Sequence, residues 1–244
     1  MSFQLSDNGD YVYEINADQK IEIVRYQGDE ERIEVPDQIG GLQVTVIRNT
    51  AFAATGAVEI IVPEGVRTIQ DEAFGACDYL QRVELPASLE KLGRGVFMGS
   101  EALKDVVFPN GNPDYYVEEG ILYHRPDHAL VLCPPGLRLT SLTVPEGTEV
   151  ISAAAFYTNR LIERIKLPFS IKRLETEAFL FTNALKMIEL PPYIEEIEPD
   201  CFLLVKGLRA EKPFMIYAFP DSVGFRYAVR NQIFVHLLHF ILNE

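Results

Sequence analysis

A proline returns every 23 residues: Pro63, Pro86 and Pro109 keep that interval, and Pro145, Pro168 and Pro191 keep it again. Phe74 and Phe97, then Phe156, Phe179 and Phe202, run in step with the prolines. A fixed period of about 20 to 50 residues belongs to stacked supersecondary units, each of which hides its apolar face only against the next. The chain is therefore read as a solenoid.

Each unit begins as a strand. The segments "LQRVELP", "LKDVVFP", "LTSLTVP", "IERIKLP" and "LKMIELP" place apolar residues one and three positions before the proline, and a period of two gives a strand one buried face. Proline ends the strand, because it donates nothing to a ladder and its fixed φ suits a corner. Val66 and Ile69, Leu89 and Leu92, Ile171 and Leu174, and Ile194 and Ile197 then point inward from a second, shorter strand or turn. Five positions on comes the aromatic, as in Ala73-Phe74 and Ala178-Phe179, which predicts rings stacked along the interior.

Two intervals break the period. Between Pro109 and Pro145 there are 13 extra residues, within which "YYVEEGILY" reads as a hairpin around Glu119 and Gly120. Between Pro36 and Pro63 the four extra residues Gly40, Gly41, Leu42 and Gln43 make the first unit a modified cap.

The run "VPEGVRTIQDEAFGACDYLQRVELPASLEKLGRGVF" resembles the BspA-like, or type 5, leucine-rich repeat family. Resemblance extends to the opening "YEINADQKIEIVRYQGDEERIEVPDQIGGLQVTVIRNTAF", the insert "NPDYYVEEGILYHRPDHALVLCPPG" and the ending "FPDSVGFRYAVRNQIF". It implies a β-rich, right-handed leucine-rich-repeat solenoid with no catalytic residues to transfer, associated in bacterial surface proteins with adhesion and protein binding. Residues 1–244 are expected to be a single such domain of about 23-residue coils. Its parts would be an N-terminal cap with modified first repeat (1–56), repeats (57–108), an insertion-bearing repeat (109–138), further repeats (139–207) and a C-terminal cap (208–244). The family implies a cell-surface or secreted protein; residues 1 to 20 lack a signal peptide's basic start and apolar middle, which is compatible with the cytoplasm.

Charge narrows the partners. Lys and Arg number 22 against 36 Asp and Glu, a net charge of −14 that opposes attraction to nucleic-acid phosphates and anionic lipid. No run approaches the roughly 18 apolar residues of a membrane span, so no membrane insertion is expected. Cys77, Cys133 and Cys201 are an odd, widely spaced set that suits small core residues better than a disulfide framework.

Catalytic and metal motifs are weak. Gly93, Gly95 and Gly99 in "LGRGVFMG" have the wrong spacing for a dinucleotide loop and suit a turn. His124 and His128 have helical ligand spacing, but Pro126 lies between them; His236 and His239 sit in an apolar tail without a third ligand. Asp7 to Asp10 reads as a turn before a strand. The sequence reading is nonenzymatic, with no cofactor and no metal.

Binding is sought on the strand positions facing away from the core, which stack between coils about 4.8 Å apart. Four before the prolines stand Glu59, Arg82, Asp105, Ser141, Arg164 and Met187; two before stand Ile61, Glu84, Val107, Thr143, Lys166 and Glu189. Arg82, Glu84, Asp105, Arg164, Lys166 and Glu189 are the candidate docking residues for a protein partner, with Arg160, Lys172 and Arg173 adding a locally basic coil. An exposed pair of such charges contributes at most about 1 kcal/mol, so the competing reading is register and solubility. A glycan-binding alternative rests on Tyr115, Tyr116 and Tyr123 in the insert. The apolar tail "HLLHFILNE" is read as a segment closing the last coil, the alternative being a homodimer through the tail.

Overall fold

Proline ends a strand wherever the repeat supplies one. The computed structural model describes residues 3–202 and 214–239, and the chain divides into two units, Met1–Leu122 and Tyr123–Glu244. Each is a stack of coils.

In the first unit the strands Arg32–Glu34, Glu59–Ile61, Arg82–Glu84 and Asp105–Val107 form one parallel sheet in that order. Each ends two residues before its proline, Pro36, Pro63, Pro86 or Pro109. Register puts Ile33, Ile60, Val83 and Val106 side by side, all buried. A second sheet carries Leu42–Ile47, Thr68–Ile69 and Lys91–Leu92 in parallel. The antiparallel strands Gln4–Leu5, Tyr11–Ile15 and Ile21–Tyr26 extend it as the N-terminal cap. The four extra residues expected in the cap contain a tight hairpin: Gln38–Ile39 pairs antiparallel with Leu42–Ile47 across Gly40 and Gly41, whose φ values of 59° and 79° need no Cβ penalty.

The second unit repeats the plan. Ala129–Leu132, Val150–Ile151, Arg173–Leu174 and Glu196–Ile197 make one parallel sheet. Ser141–Thr143, Arg164–Lys166, Met187–Leu190, Met215–Ala218 and Phe234–Leu237 make the other. Thus part of the apolar tail is a strand added in parallel to the last coil; residues 240–244 lie outside the described residues. The helix Val223–Arg230, absent from the sequence reading, is capped by Ser222, whose hydroxyl accepts from the Phe225 N–H.

The expected aromatic stack fills each core. Phe52, Phe74 and Phe97 stand 5.6 and 5.7 Å apart, and Tyr26 stacks on Phe52 at 5.3 Å. Phe156, Phe179 and Phe202 stand 5.0 and 4.8 Å apart with rings nearly parallel, and Phe214 and Tyr227 close that end. The place 23 residues before Phe156 belongs to Cys133, whose N–H bonds to the Ala155 carbonyl just as Phe156 bonds to Ala178.

The aromatic turn needs left-handed backbone on both sides. Two residues before the Phe, Thr50, Glu72 and Gly95, then Ala154, Glu177 and Asp200, all have φ between 50° and 62°. Three residues after the Phe runs a polar row unseen in the sequence. Ser100 donates to the Phe74 carbonyl at 2.7 Å and accepts from the Cys77 N–H at 3.0 Å. Asn159 accepts from the N–H groups of Leu161 and Ile162, and Thr182 donates to the Phe179 carbonyl. These buried side chains satisfy backbone groups that the turn leaves without a ladder partner.

Candidate functional site

The outward rows lie where the period places them. In the first unit Arg32, Glu59, Arg82 and Asp105 are successive register partners, as are Glu34, Ile61, Glu84 and Val107. Their charges meet one another: Arg32 reaches Glu34 at 2.6 Å and Glu59 at 2.8 Å, while Arg82 reaches Glu59 at 3.2 Å and Glu84 at 2.8 Å. Neighbouring carboxylates raise the Arg82 pKa, the Glu84 hydrogen bond being the largest cause. Both arginines of these rows are thus paired within the surface.

In the second unit one row runs Ser141, Arg164, Met187, Met215 and Phe234, the other Thr143, Lys166, Glu189, Tyr217 and His236. Lys166 lies a loose 3.9 Å from Glu189, and Arg164 makes no ion pair among the described residues. Polar chemistry gives way to sulfur and aromatic rings, with Phe234 61% exposed and Tyr217 against His236 at 4.9 Å.

Sequence reasoning did not carry the outward rows into the last two strands. "MIYAFP" has one residue more between strand and proline than its predecessors, so the proline rule puts Ile216 outward. Ile216 is in fact fully buried, and Met215 takes the outward place.

The insert's tyrosines are differently placed. Tyr115 stacks on Phe108 at 6.1 Å and its hydroxyl accepts from the Leu92 N–H, leaving it 5% exposed; Tyr123 is 3% exposed. Of the three, Tyr116 is half-buried. The turn between the strands Tyr115–Glu118 and Ile121–His124 has positive φ at both Glu119 and Gly120, as a two-residue hairpin turn requires.

The remaining motifs find structural places. Gly95 and Gly99 have φ of 54° and 80°, and a Cβ on Gly93 would stand 2.4 Å from the Asp71 nitrogen. His124 faces Asp127 at 2.9 Å across a turn, and all three cysteines are buried free thiols. Among the described residues no group of three or more His, Cys, Asp or Glu gathers as metal ligands, and no helix is long and apolar enough to cross a membrane.

The recurring "PEG" turn also couples coils. Glu64 accepts from the N–H groups of Ala87 and Ser88, and the Gly65 N–H donates to the Ser88 hydroxyl at 2.8 Å. In the second unit Glu146 accepts from Phe169 N–H, and Gly147 donates to the Ser170 hydroxyl.

Short parallel strands, a stacked aromatic interior and in-register outward rows define a leucine-rich-repeat solenoid architecture. The chain belongs to the BspA-type leucine-rich repeat family, whose repeat region matches in six copies over residues 33–119 and 136–210. No curated protein matches it. A leucine-rich repeat protein from Eubacterium ventriosum is similar at 16% identity over 91% of this chain and 73% of its own, with a TM-score of 0.54, a likeness of fold. A leucine rich cell surface protein from Faecalibacterium prausnitzii is 17% identical over 91% and 92% of the two chains, with a TM-score of 0.45. The Leucine Rich Repeat protein of T. pallidum is 22% identical over 93% and 95%, with a TM-score of 0.48.

Proposed function

We propose that the protein is a nonenzymatic interaction module of the bacterial surface adhesion type, which docks a protein partner across the outward rows of its strands. One observation supports this above the rest. The outward positions stay in register from coil to coil, so Arg82, Glu84 and Asp105 in one unit, and Arg164, Lys166 and Glu189 in the other, present ordered charge on an exposed sheet. Ordered charge of this kind steers a partner and fixes its orientation more than it adds affinity. A net charge of −14 argues against nucleic acid as that partner.

The glycan alternative has less support, because the burial of Tyr115 and Tyr123 leaves Tyr116 as the ring with open area. Homodimerisation through the tail is a separate proposal, and its residues 240–244 lie outside the described residues.

The test is capture of binding proteins from bacterial and host lysates by the full chain, beside Arg82→Glu and Arg164→Glu variants, with a glycan array in parallel. A protein retained by the wild type and lost from a charge-reversed variant is the expected result. Glycan signal abolished by Tyr116→Ala, with no protein retained, would transfer the function to sugar binding.

A further inference from the structure

The two units differ in what their outward rows leave unsatisfied. In the first, Arg32 and Arg82 both pair with glutamates at 2.6 to 3.2 Å, so the arginines are satisfied and the charge left over, at Asp105, is negative. In the second, Arg164 has no ion-pair partner among the described residues and Lys166 has only a 3.9 Å contact with Glu189; the rows continue through Met187 and Glu189 into Met215, Tyr217, Phe234 and His236. Basic side chains thus border a surface of half-buried Met187, Met215 and Tyr217 and exposed Phe234, in a chain whose net charge is −14.

We infer that this end of the second sheet is the docking site for a protein segment lying across the strands, one carboxylate beside Arg164 and Lys166 and one apolar side chain on Met215, Tyr217 and Phe234. The inference rests on the proposed docking function and fixes where the partner sits and what it carries. Its chemistry follows from the surface. Arg, Met, Tyr and Phe are the residues enriched where protein interfaces are driest, and Met adapts its shape to an incoming apolar group. Cations at the border select an acidic partner by charge complementarity.

Geometry supplies a spacing. Met215 is two strands from Arg164 and Phe234 is three, which at about 4.8 Å per strand gives roughly 10 to 14 Å. An extended segment rises about 3.3 Å per residue, so its apolar anchor stands about three or four residues from its carboxylate.

The probe is a fluorescein-labelled peptide, Asp-Glu-Ser-Gly-Phe-Leu-Ser-Gly, titrated with the full chain and read by anisotropy. Its controls carry Lys-Lys for the acids, or Ser-Ser for Phe-Leu. The acidic apolar peptide should bind at least tenfold tighter than either control. Arg164→Glu and Phe234→Ser should each weaken it at least tenfold, while Arg67→Glu, at a first-unit arginine paired with Glu90, leaves it unchanged. Phe234 is 61% exposed, so its serine variant should keep the wild-type melting curve, which is measured alongside. Equal binding of the lysine control, undiminished binding by Phe234→Ser, or no binding by any peptide overturns the inference. So does a concentration-dependent dimer by light scattering that Phe234→Ser abolishes, since the face would then belong to a second copy. A captured protein that depends on Arg82 and ignores Phe234 sinks this site and spares the docking function; no specific partner for any variant removes both.

Discussion

Gly93 shows how tightly one residue can be dictated by the coil before it. An added Cβ would meet the backbone nitrogen of Asp71 at 2.4 Å, and Asp71 is itself held by accepting from the Arg94 N–H at 2.9 Å. Backbone fixed in this way cannot step aside as a flexible side chain would. Gly93→Ala should therefore destabilise the protein by about 1 to 3 kcal/mol, the range for overpacking a filled site. Gly56 is the contrast, with nothing within 4 Å of its added Cβ and no left-handed φ. There alanine should be neutral or stabilising by about 0.4 to 1 kcal/mol, through lost freedom of the unfolded chain. Urea unfolding of the two variants checks both, and equal shifts would remove the close-approach explanation. The three glycines of "LGRGVFMG" thus serve a turn, two by conformation and one by proximity. Spacing showed that they suit a turn; which glycine did which was invisible, because proximity to Asp71 belongs to the stacked coil.

At the scale of the element, the aromatic stack and the polar row beside it make separate demands on the same turn. Phe179 lies between Phe156 and Phe202 at 5.0 and 4.8 Å and is fully buried. Phe179→Ala should cost about 3 to 5 kcal/mol, read as a lower urea midpoint. A shift no larger than that of an exposed-site variant would argue against the stack as a stabilising element. Ser100→Ala removes far less volume but takes the acceptor from the Cys77 N–H, which is buried. An orphaned buried donor costs about 1 to 3 kcal/mol, so this variant should exceed the loss expected for a surface serine. The strands and the stack were legible because proline and phenylalanine occupy their positions repeatedly. The polar row was not: Cys77, Ser100, Asn159 and Thr182 share a place in the coil but no side-chain type. Nor was the helix Val223–Arg230, eight residues outside the repeat, nor the outward place of Met215, where one extra residue before Pro220 shifts the alternation. Repetition reveals what each coil must do alike, and the candidate docking face lies partly where the coils cease to be alike.

For the whole molecule, ionisation sets a pH window for stability. Glu149 and Glu163 have lowered pKa values through hydrogen bonds from Lys172 and Lys186. Glu64 is also lowered: burial alone would raise it, but hydrogen bonds from Ala87, Asn110 and Ser88 together outweigh that. These carboxylates contribute stability above the unfolded value of about 4.3, and the contribution is lost as pH falls through their lower folded values. Thiols and phenols act in the opposite sense. Burial pushes Cys133 up to about 12, raises Cys201 well above the thiol range with help from Glu198, and lifts Tyr227 to about 12. Their contribution is complete below the unfolded values, about 8.5 for cysteine and about 10 for tyrosine, and is lost as pH rises through the folded ones. Urea midpoints under reducing conditions should accordingly be flat between about pH 5 and 8 and fall on both sides. Cys133→Ala separates the thiol from the rest. It should lower stability at neutral pH, because it empties part of the place before Phe156 in the aromatic row. It should also make the alkaline decline shallower, since one group whose ionisation favours the unfolded chain is gone. Parallel alkaline limbs in the two proteins would mean that the Cys133 thiolate is no more disfavoured in the fold than in the unfolded chain, and the alkaline half of the window would lose its main support.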